Sequence, residues 1–295
     1  MLNHPRILNP HQRRQIQEQQ RLNQQRYEEE HRVDHPSEKM GTSASKPGEP
    51  YIPTPKDQHA VRLLLHLRCK LPLELADIII TTAEYFPKLS CQNDKGVIAS
   101  ASSGVGNSLR HLYLVSNPIP EPQPGEKLRV RKIKFYTNSH DQGWCDNEPS
   151  RKNKYDSSFT WFEVSIFRPI KEPPPQTITA NRIPDVNDFV HPLHDQGWEI
   201  VKNGDTPVWH LQRNLCANEN FIDHTVTWYE DGTKDFERSG YEENEVHETG
   251  DGTGDGKDFI KSLRSGDRIG IWVCAQFPGW ANTVNDIKME MTYTA

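Results

Sequence analysis

The sequence predicts a mainly β protein, an antiparallel β-sandwich that follows a disordered N-terminal tail and a few short helices. Aromatic and β-branched runs bounded by turn residues, such as residues 159–167 and 268–277, are typical of strands. Apolar and polar residues alternate from Ile287 to Tyr293, as expected of a half-buried antiparallel strand. Because no amphipathic helices of ordinary length separate these runs, a sandwich is favoured over a parallel α/β sheet.

The chain divides into four segments, of which the first is a Gln/Arg/Glu-rich tail at residues 1–57. Between residues 11 and 31 its only apolar side chains are Ile16, Leu22 and Tyr27. Such a segment cannot bury enough apolar surface to offset the entropy lost on ordering, so it is predicted to be disordered. The other segments are a short helical segment at 58–90, a loop and connector with a short strand at 91–127, and a sandwich domain at 128–295.

Two local patterns refine these segments. The stretch Leu71-Pro72-Leu73-Glu74-Leu75 opens a helical run, and a proline is favourable in a first helical turn because its missing amide hydrogen has no partner there in any case. In the sandwich, the apolar alternation changes phase between Val130 and Ile133, which predicts a β-bulge.

An internal repeat is the most distinctive feature of the sandwich segment. The stretch His140-Asp141-Gln142-Gly143-Trp144 recurs unchanged as His194-Asp195-Gln196-Gly197-Trp198, 54 positions later. Each copy is followed by a Thr-Trp-aromatic-Glu tetrad, at residues 160–163 and 227–230. An identity of this length is not a compositional accident, so an internal duplication is predicted to supply related elements to the sandwich. The longer gap before the second tetrad indicates an insertion around residues 203–220, which suits a surface loop.

In a structural interpretation, the pentapeptide holds the fold together. The aspartates Asp141 and Asp195 accept backbone amides of a tight turn, and each following glycine takes a positive φ. The tryptophans Trp144 and Trp198 then fill the core beside Trp161 and Trp228.

In a functional interpretation, the two pentapeptide loops lie together at one end of the sandwich, where the loops of a β-scaffold usually bind ligands. Their histidines and glutamines then contact a partner. The candidate ligand-binding residues in the two copies are His140, Asp141, Gln142, Trp144, His194, Asp195, Gln196 and Trp198.

The C-terminal part supplies two further candidate ligand-binding residues, Phe277 and Trp280. The pair Gly266-Asp267 predicts a turn before a buried strand, and that strand runs into Phe277-Pro278-Gly279-Trp280. If exposed, the two rings suit stacking on a sugar face or gripping a peptide. If buried, which the pattern favours, they close one end of the sandwich.

Composition restricts the class of protein. Of 295 residues 34% are hydrophobic, with 22 prolines and a mean hydropathy of −0.83, which favours one folded domain with a tail. A net charge of −6 disfavours nucleic-acid binding through the whole surface. Neither a membrane helix nor a secretory signal is expected. Five cysteines without Cys-x-x-Cys pairing favour a reducing compartment, so the cytosol or the nucleus is the expected location.

These motifs carry two resemblances. The twin motifs, the Leu71 to Leu75 opening with Ala83-Glu84-Tyr85-Phe86-Pro87, and the ending at residues 266–280 resemble a family of fungal proteins without an assigned activity, over roughly residues 60–295. The helical opening before a tryptophan-rich sandwich also resembles glycoprotein-recognising F-box adaptors. That resemblance implies a jelly-roll or galactose-binding-like sandwich and a ubiquitin-ligase scaffold as partner. An F-box continues with further helical turns, whereas residues 95–108 are predicted to form a loop.

Metal and catalytic chemistry receive less support, and no cofactor is expected. Residues 251–256 match the first half of a calcium loop, but Ser262 stands where a bidentate glutamate belongs. No pattern of zinc ligands is complete. The equivalent residues Glu163 and Glu230 could face each other as a glycosidase-like pair, although glutamates on strands are more often solvated.

The favoured function is non-enzymatic binding of a protein or glycan through loops at one end of the sandwich, with delivery to a ubiquitin ligase as an extension. One alternative is a carbohydrate-active enzyme that uses the two glutamates. Another is a purely structural sandwich. No nucleic-acid or membrane partner is expected.

Overall fold

The part of the chain that the structure describes is mainly β. This computed structural model describes residues 51–122, 125–145, 153–171, 177–178, 182–239 and 250–294, and the predicted tail up to residue 50 lies outside them. The helices are α1 (Pro55–Leu67), α2 (Leu73–Thr82), α3 (Val190–Asp195) and α4 (Phe259–Ser262). The strands are β1 (Lys88–Asn93), β2 (Val97–Ser100), β3 (Ser108–Val115), β4 (Arg129–His140), β5 (Thr160–Pro169), β6 (Trp198–Ile200), β7 (Trp209–Arg213), β8 (Ile222–Tyr229), β9 (Lys234–Ser239), β10 (Arg268–Gln276) and β11 (Ala281–Thr294).

Two antiparallel sheets confirm the predicted β-sandwich. Within the described residues, sheet A has six strands in the order β1-β11-β4-β8-β9, with β2 also paired to β11. Sheet B has five strands in the order β3-β10-β5-β6, with β7 also paired to β5. The long strands β4 and β11 form the centre of sheet A, and β5 and β10 form the centre of sheet B.

The main core lies between the sheets, because alternate residues of each central strand point inward. Phe259 of α4 fills the space between the layers. Its ring packs edge-on against Phe135, Trp209 and Trp228, with ring centroids 5.0–6.4 Å apart. A second apolar cluster covers the outer face of sheet B, where Phe189 packs against Trp272. Sheet B is therefore covered on both faces.

The predicted bulge is confirmed in β4. Lys132 pairs with Thr292 and Val130 pairs with Tyr293, so Arg131 is the extra residue. Since side chains alternate along a strand, one extra residue changes which of them face the core, and the sequence shows this as a change of phase.

The two predicted helices are also present, and α1 begins at Pro55. Thr54 caps it, because its hydroxyl accepts a hydrogen bond from the Asp57 amide while the Asp57 carboxylate accepts one from the Thr54 amide. After α2 ends at Thr82 the chain enters β1, so the further helical turns of an F-box are not formed there. The predicted loop at 95–108 contains strand β2, which pairs with β11. None of the described helices is long and apolar enough to span a membrane.

His224 is an inward-facing histidine of β8 that is almost completely buried. Its Nε2 lies 3.1 Å from the hydroxyl of Tyr155, and its ring stacks on Phe236. Burial lowers the pKa of His224 to about 3, and the nearby charge of Arg238 acts in the same direction. The folded protein therefore holds this side chain in its neutral form.

We expect His224 to make stability depend on pH. The unfolded chain binds its proton below pH 6.5 and the folded chain only near pH 3, so the free energy of unfolding falls as pH drops through this window. At about pH 4 the loss from this side chain approaches roughly 3 kcal/mol. Urea unfolding between about pH 7 and pH 4 should show a shallower pH dependence for His224→Phe than for the parent. Part of the dependence should persist, because burial also lowers the pKa of His111 to about 4. Equal slopes in the two proteins would contradict this role of His224.

Candidate functional site

Six of the candidate residues lie together at one end of the sandwich, hereafter the loop end. The end of β4 lies beside the start of β11, since His140 pairs with Thr283. The end of β10 lies beside the start of β5, since Ala275 pairs with Thr160. The loop end consists of residues 101–107, 140–145, 214–221 and 277–280 together with Phe159. Its six candidates are His140, Asp141, Gln142, Trp144, Phe277 and Trp280.

Asp141 ties the first pentapeptide to the loop at 214–221. Its carboxylate is inaccessible to solvent and accepts hydrogen bonds from the amides of Gly143 at 2.7 Å, Ala217 at 2.6 Å and Asn218 at 2.9 Å. Burial raises the pKa of Asp141, and the three amides act in the opposite direction. The turn predicted by the structural interpretation is therefore present in this copy.

Gly143 permits the close approach of these two loops. Its φ is +84°, and an added Cβ would lie 2.9 Å from the Cβ of Glu219. A residue with a side chain would be strained in this backbone conformation and would also push the loops apart. The predicted positive φ of this glycine is confirmed.

The polar side chains next to Asp141 are held by hydrogen bonds within the loop end. The amide nitrogen of Gln142 donates to the Trp144 carbonyl, and its oxygen accepts from the Ala281 amide at 3.2 Å. Nδ1 of His140 donates to the Asp141 carbonyl, and its ring packs edge-on against Phe221 with centroids 4.6 Å apart. These polar groups already have partners within the protein, whereas several apolar side chains of the loop end are exposed, among them Val105 at 77%.

Three aromatic side chains are about half exposed at the loop end: Trp144 at 51%, Phe277 at 46% and Phe221 at 45%. The Trp144 ring lies over Gly279, where an added Cβ would come within 2.9 Å of it. The expected burial of Phe277 is therefore wrong. The reason is its backbone, since a φ of +72° turns the side chain outward at the start of the turn.

The turn from Phe277 to Trp280 is anchored from both sides. The Phe277 amide donates to the Asn107 carbonyl at 2.8 Å, and the Trp280 amide donates to the Phe277 carbonyl at 3.2 Å. Phe159 packs edge-on against both rings, with centroids 4.6 and 5.2 Å away. Trp280 itself is only partly accessible. A positive φ costs a bulky residue of order 1–3 kcal/mol, and backbone strain of this kind clusters at functional sites.

Phe221 belongs to the loop end but is not among the residues singled out from the sequence. It is the last residue of the loop at 214–221 and directly follows the insertion that the unequal repeat spacing predicts at residues 203–220. That spacing was therefore the sequence signal for this loop, although it did not identify the Phe221 ring itself.

The loop end also contains a buried thiol. Burial and a hydrogen bond to Cys145 raise the pKa of Cys216 to about 12, so this thiol stays protonated.

The second pentapeptide has a different conformation. His194 and Asp195 end helix α3 and are exposed, and Gly197 has a φ of +90°. Trp198 begins β6, is inaccessible to solvent, and has the guanidinium of Arg268 5.6 Å from its ring. Gln196 caps α3. This copy is thus a helix end followed by a strand, whereas the first copy is a strand end followed by a turn.

The prediction that the two pentapeptide loops meet is therefore wrong. Trp198 pairs with Pro169 at the far end of β5, whose ten residues separate it from the loop end by roughly 30 Å. The expectation that Trp144 fills the core is also wrong, because this side chain is exposed. The physical reason is that five residues fix the positive φ of the glycine but not the strand or helix that precedes them.

The identical tryptophans of the two copies should therefore contribute unequally to stability. Trp198→Ala removes a fully buried ring and should lower the free energy of unfolding by about 3–5 kcal/mol. Trp144→Ala removes a half-exposed ring and should lower it by no more than about 1 kcal/mol. Denaturant unfolding of the two variants checks this, and equal losses would show that the two rings are equally buried.

Glu163 and Glu230 do not form a catalytic pair, which corrects that expectation. Glu163 lies on the outer face of sheet B, where it binds Arg110 at 2.8 Å and accepts a hydrogen bond from the Trp161 indole at 2.8 Å. Glu230 follows the last residue of β8 in sheet A and pairs with Arg129 and Arg131. Packed sheets lie about 10 Å apart, beyond the separation of about 5–9.5 Å that glycosidase carboxylates need.

The two glutamates should also differ in their effect on stability. Glu163 is nearly buried, so Glu163→Gln leaves Arg110 without its charged partner and should cost about 2–4 kcal/mol. Glu230 is partly solvated, so Glu230→Gln should cost no more than about 1 kcal/mol. Thermal or denaturant unfolding separates the variants, and a larger loss for Glu230→Gln would reverse this assignment.

The calcium-like segment is occupied by a lysine side chain. The Lys234 ammonium lies 3.0 Å from the Asp251 carboxylate and also contacts the Thr253 hydroxyl. Among the described residues, no group of three or more His, Cys, Asp or Glu side chains could hold a metal ion. The charge of Asp251 is thus balanced within the protein.

Comparisons with known proteins find similarity at the level of structure. No family model and no curated protein matches the sequence. Among solved structures, the chain is similar to peanut lectin with a 9mer peptide (PVIWSSATG), at 8% sequence identity and a TM-score of 0.28. This match covers 70% of the present chain and 99% of the lectin chain. No residue of the loop end is assigned from this similarity.

Proposed function

We propose that the protein is a non-enzymatic binding module that recognises a glycan or a protein through the loop end. The observation that carries this proposal is the exposure of three aromatic rings, Trp144, Phe221 and Phe277, on one set of loops. Aromatic rings supply large contact areas at low entropic cost, because only two side-chain torsions become fixed. Grouped at one end of a β-scaffold, they form a surface suited to recognition.

The loops that carry these rings are held in place before any ligand arrives. Three backbone amides converge on the buried carboxylate of Asp141, and the turn at Phe277 is bonded to Asn107. A site fixed in advance loses less conformational entropy on binding. The positive φ of Phe277 supports the same conclusion, since backbone strain of this kind clusters at functional sites.

The same chemistry serves two kinds of ligand. An exposed indole or phenyl face stacks on the apolar face of a sugar ring, and it also packs against apolar side chains of a peptide. The carbohydrate-active enzyme is the less supported alternative, because Glu163 and Glu230 are each neutralised by arginine and lie apart. Binding without turnover is therefore the function that the loop end supports best.

The test compares the parent with a Trp144→Ala, Phe277→Ala double variant on a panel of immobilised glycans and on a panel of peptides. Both side chains are half exposed, so the double variant should stay folded. The parent should bind members of one panel, and the double variant should bind them at least about tenfold more weakly. The panel that responds identifies the ligand as glycan or protein.

The matched control is His194→Ala, which alters an exposed residue of the second pentapeptide at the other end of β5. It should bind like the parent. If the double variant and the control both retain parental affinity for a ligand, binding does not use the loop end and the proposal fails. Circular dichroism of each variant confirms that the fold is intact.

Three finer statements belong to the same proposal. Delivery of the bound partner to a ubiquitin-ligase scaffold is supported by the resemblance of residues 71–75 to an F-box opening. Membership of the fungal family is supported by the motifs of the sequence. A cytosolic or nuclear location is supported by five cysteines scattered without Cys-x-x-Cys pairing.

A further inference from the structure

Helices α1 and α2 carry an apolar surface that the rest of the described chain leaves exposed. We name it the hairpin surface. It includes six large apolar side chains of the two helices, each more than one third exposed: Leu63, Leu64, Leu67, Leu75, Ile78 and Ile79. Several large apolar side chains exposed on one pair of helices are unusual in a monomeric soluble protein, so a partner is expected to cover them.

The exposed residues follow the spacing of a helix face that is normally buried. In α1, Leu63, Leu64 and Leu67 lie on the side opposite Gln58, the residue of this helix that is buried. In α2, Ile78 lies opposite the buried residues Ala76 and Ile80, and Leu75 and Ile79 lie beside Ile78 on one flank of the helix. Both apolar stripes therefore point away from the sandwich, and each helix is apolar where it faces solvent.

We propose that the hairpin surface is covered by the same surface of a second copy of this chain, so that the two helix pairs form a four-helix bundle. Burying roughly 80 Å² on each of the six side chains removes about 500 Å² per copy, or about 1,000 Å² for the pair, which is the lower limit for a specific interface. In a symmetric dimer the same surface of each copy contacts its counterpart, so like charges would repel one another whereas apolar side chains can pack together. Four-helix bundles are built from such apolar faces.

Charges next to the hairpin surface do not oppose this pairing. Arg62 of α1 binds Asp77 of α2 through two hydrogen bonds of 2.6 and 2.9 Å, so these two charges are balanced within one hairpin. Other exposed charges beside the apolar faces are Lys56 of α1, Arg68 directly after it and Glu74 of α2, so both signs are present. The N-terminal tail is a poorer occupant, since Ile16, Leu22 and Tyr27 are its only apolar residues between positions 11 and 31. A second hairpin supplies an equal apolar area.

The position of the hairpin leaves the loop end free in such a pair. The hairpin is attached where β11 ends, since Lys132 binds Glu84 and the Tyr293 amide donates to the Pro87 carbonyl. The loop end lies at the start of β11, and the 14 residues of this strand separate the two by roughly 45 Å. If the proposed function is correct, a dimer presents two loop ends and gains avidity for a repeated ligand.

Light scattering of the full-length chain after size exclusion, under reducing conditions, tests this inference. A reducing agent is needed because Cys69 is exposed and follows Leu67 by two residues. We expect a mass about twice 34.0 kDa for the parent at tens of micromolar. Leu64→Glu with Ile78→Glu should convert it to a 34.0 kDa monomer, since both side chains are more than half exposed and neither is needed for folding.

The matched control is Ile98→Glu, whose side chain is as exposed as Ile78, at 58%, but lies on β2 near the loop end. This control should remain dimeric, and circular dichroism should show all three proteins folded. A parent that is monomeric at every concentration overturns the inference and leaves the surface to a scaffold protein or the tail. A dimer that survives both glutamates overturns it as well. Neither result bears on glycan or peptide binding by Trp144 and Phe277, which the panels measure separately.

Discussion

Alternate side chains of the central strands are buried between the two sheets, and this period of two governs most of the structure. It decides which residue of each strand reaches the core and which reaches the outer face. The two Thr-Trp-aromatic-Glu tetrads illustrate the constraint. In β5 the Phe162 side chain points into the core and Trp161 lies on the outer face, whereas in β8 the Trp228 side chain points into the core. The matching tryptophans of two similar tetrads therefore have opposite orientations, because each strand is positioned by its neighbours.

The loop end depends on this core through the strands that deliver its loops. Strands β4, β5, β10 and β11 all begin or end there, and the buried carboxylate of Asp141 then joins two loops that are distant in sequence. Three backbone amides donate to that carboxylate. The neighbouring polar groups of His140 and Gln142 also form hydrogen bonds within the loop end. The polar groups of this pentapeptide are thus engaged within the loop end, whereas the Trp144 ring is half exposed.

The molecule has two apolar surfaces of different character at opposite ends of β11. The loop end shows a few aromatic rings on loops fixed by hydrogen bonds, which suits a specific ligand. The hairpin surface shows aliphatic side chains on two regular helices, which suits helix packing. A chain with both can form an assembly at one end while the other end remains free for recognition.

Much of the fold was predictable from local sequence. Alternation of apolar residues identified the strands, a change of phase located the bulge at Arg131, and helical spacing identified α1 and α2. Each of these signals is local, because it depends on residues within a few positions of one another. Strand β2 was missed, since Val97 to Ser100 is short and flanked by small residues that read as a loop.

The candidate site was only partly predictable. The sequence by itself determined the β-sandwich, the positive φ of both pentapeptide glycines and the presence of aromatic residues at Trp144, Phe277 and Trp280. Only the tertiary structure decided that the second pentapeptide lies at the far end of β5, that Trp198 is buried while Trp144 is exposed, and that Phe221 joins the loop end. Backbone conformation over a few residues follows from local chemistry. Which loops meet, and which rings face solvent, follows from strand pairing between residues far apart in the chain.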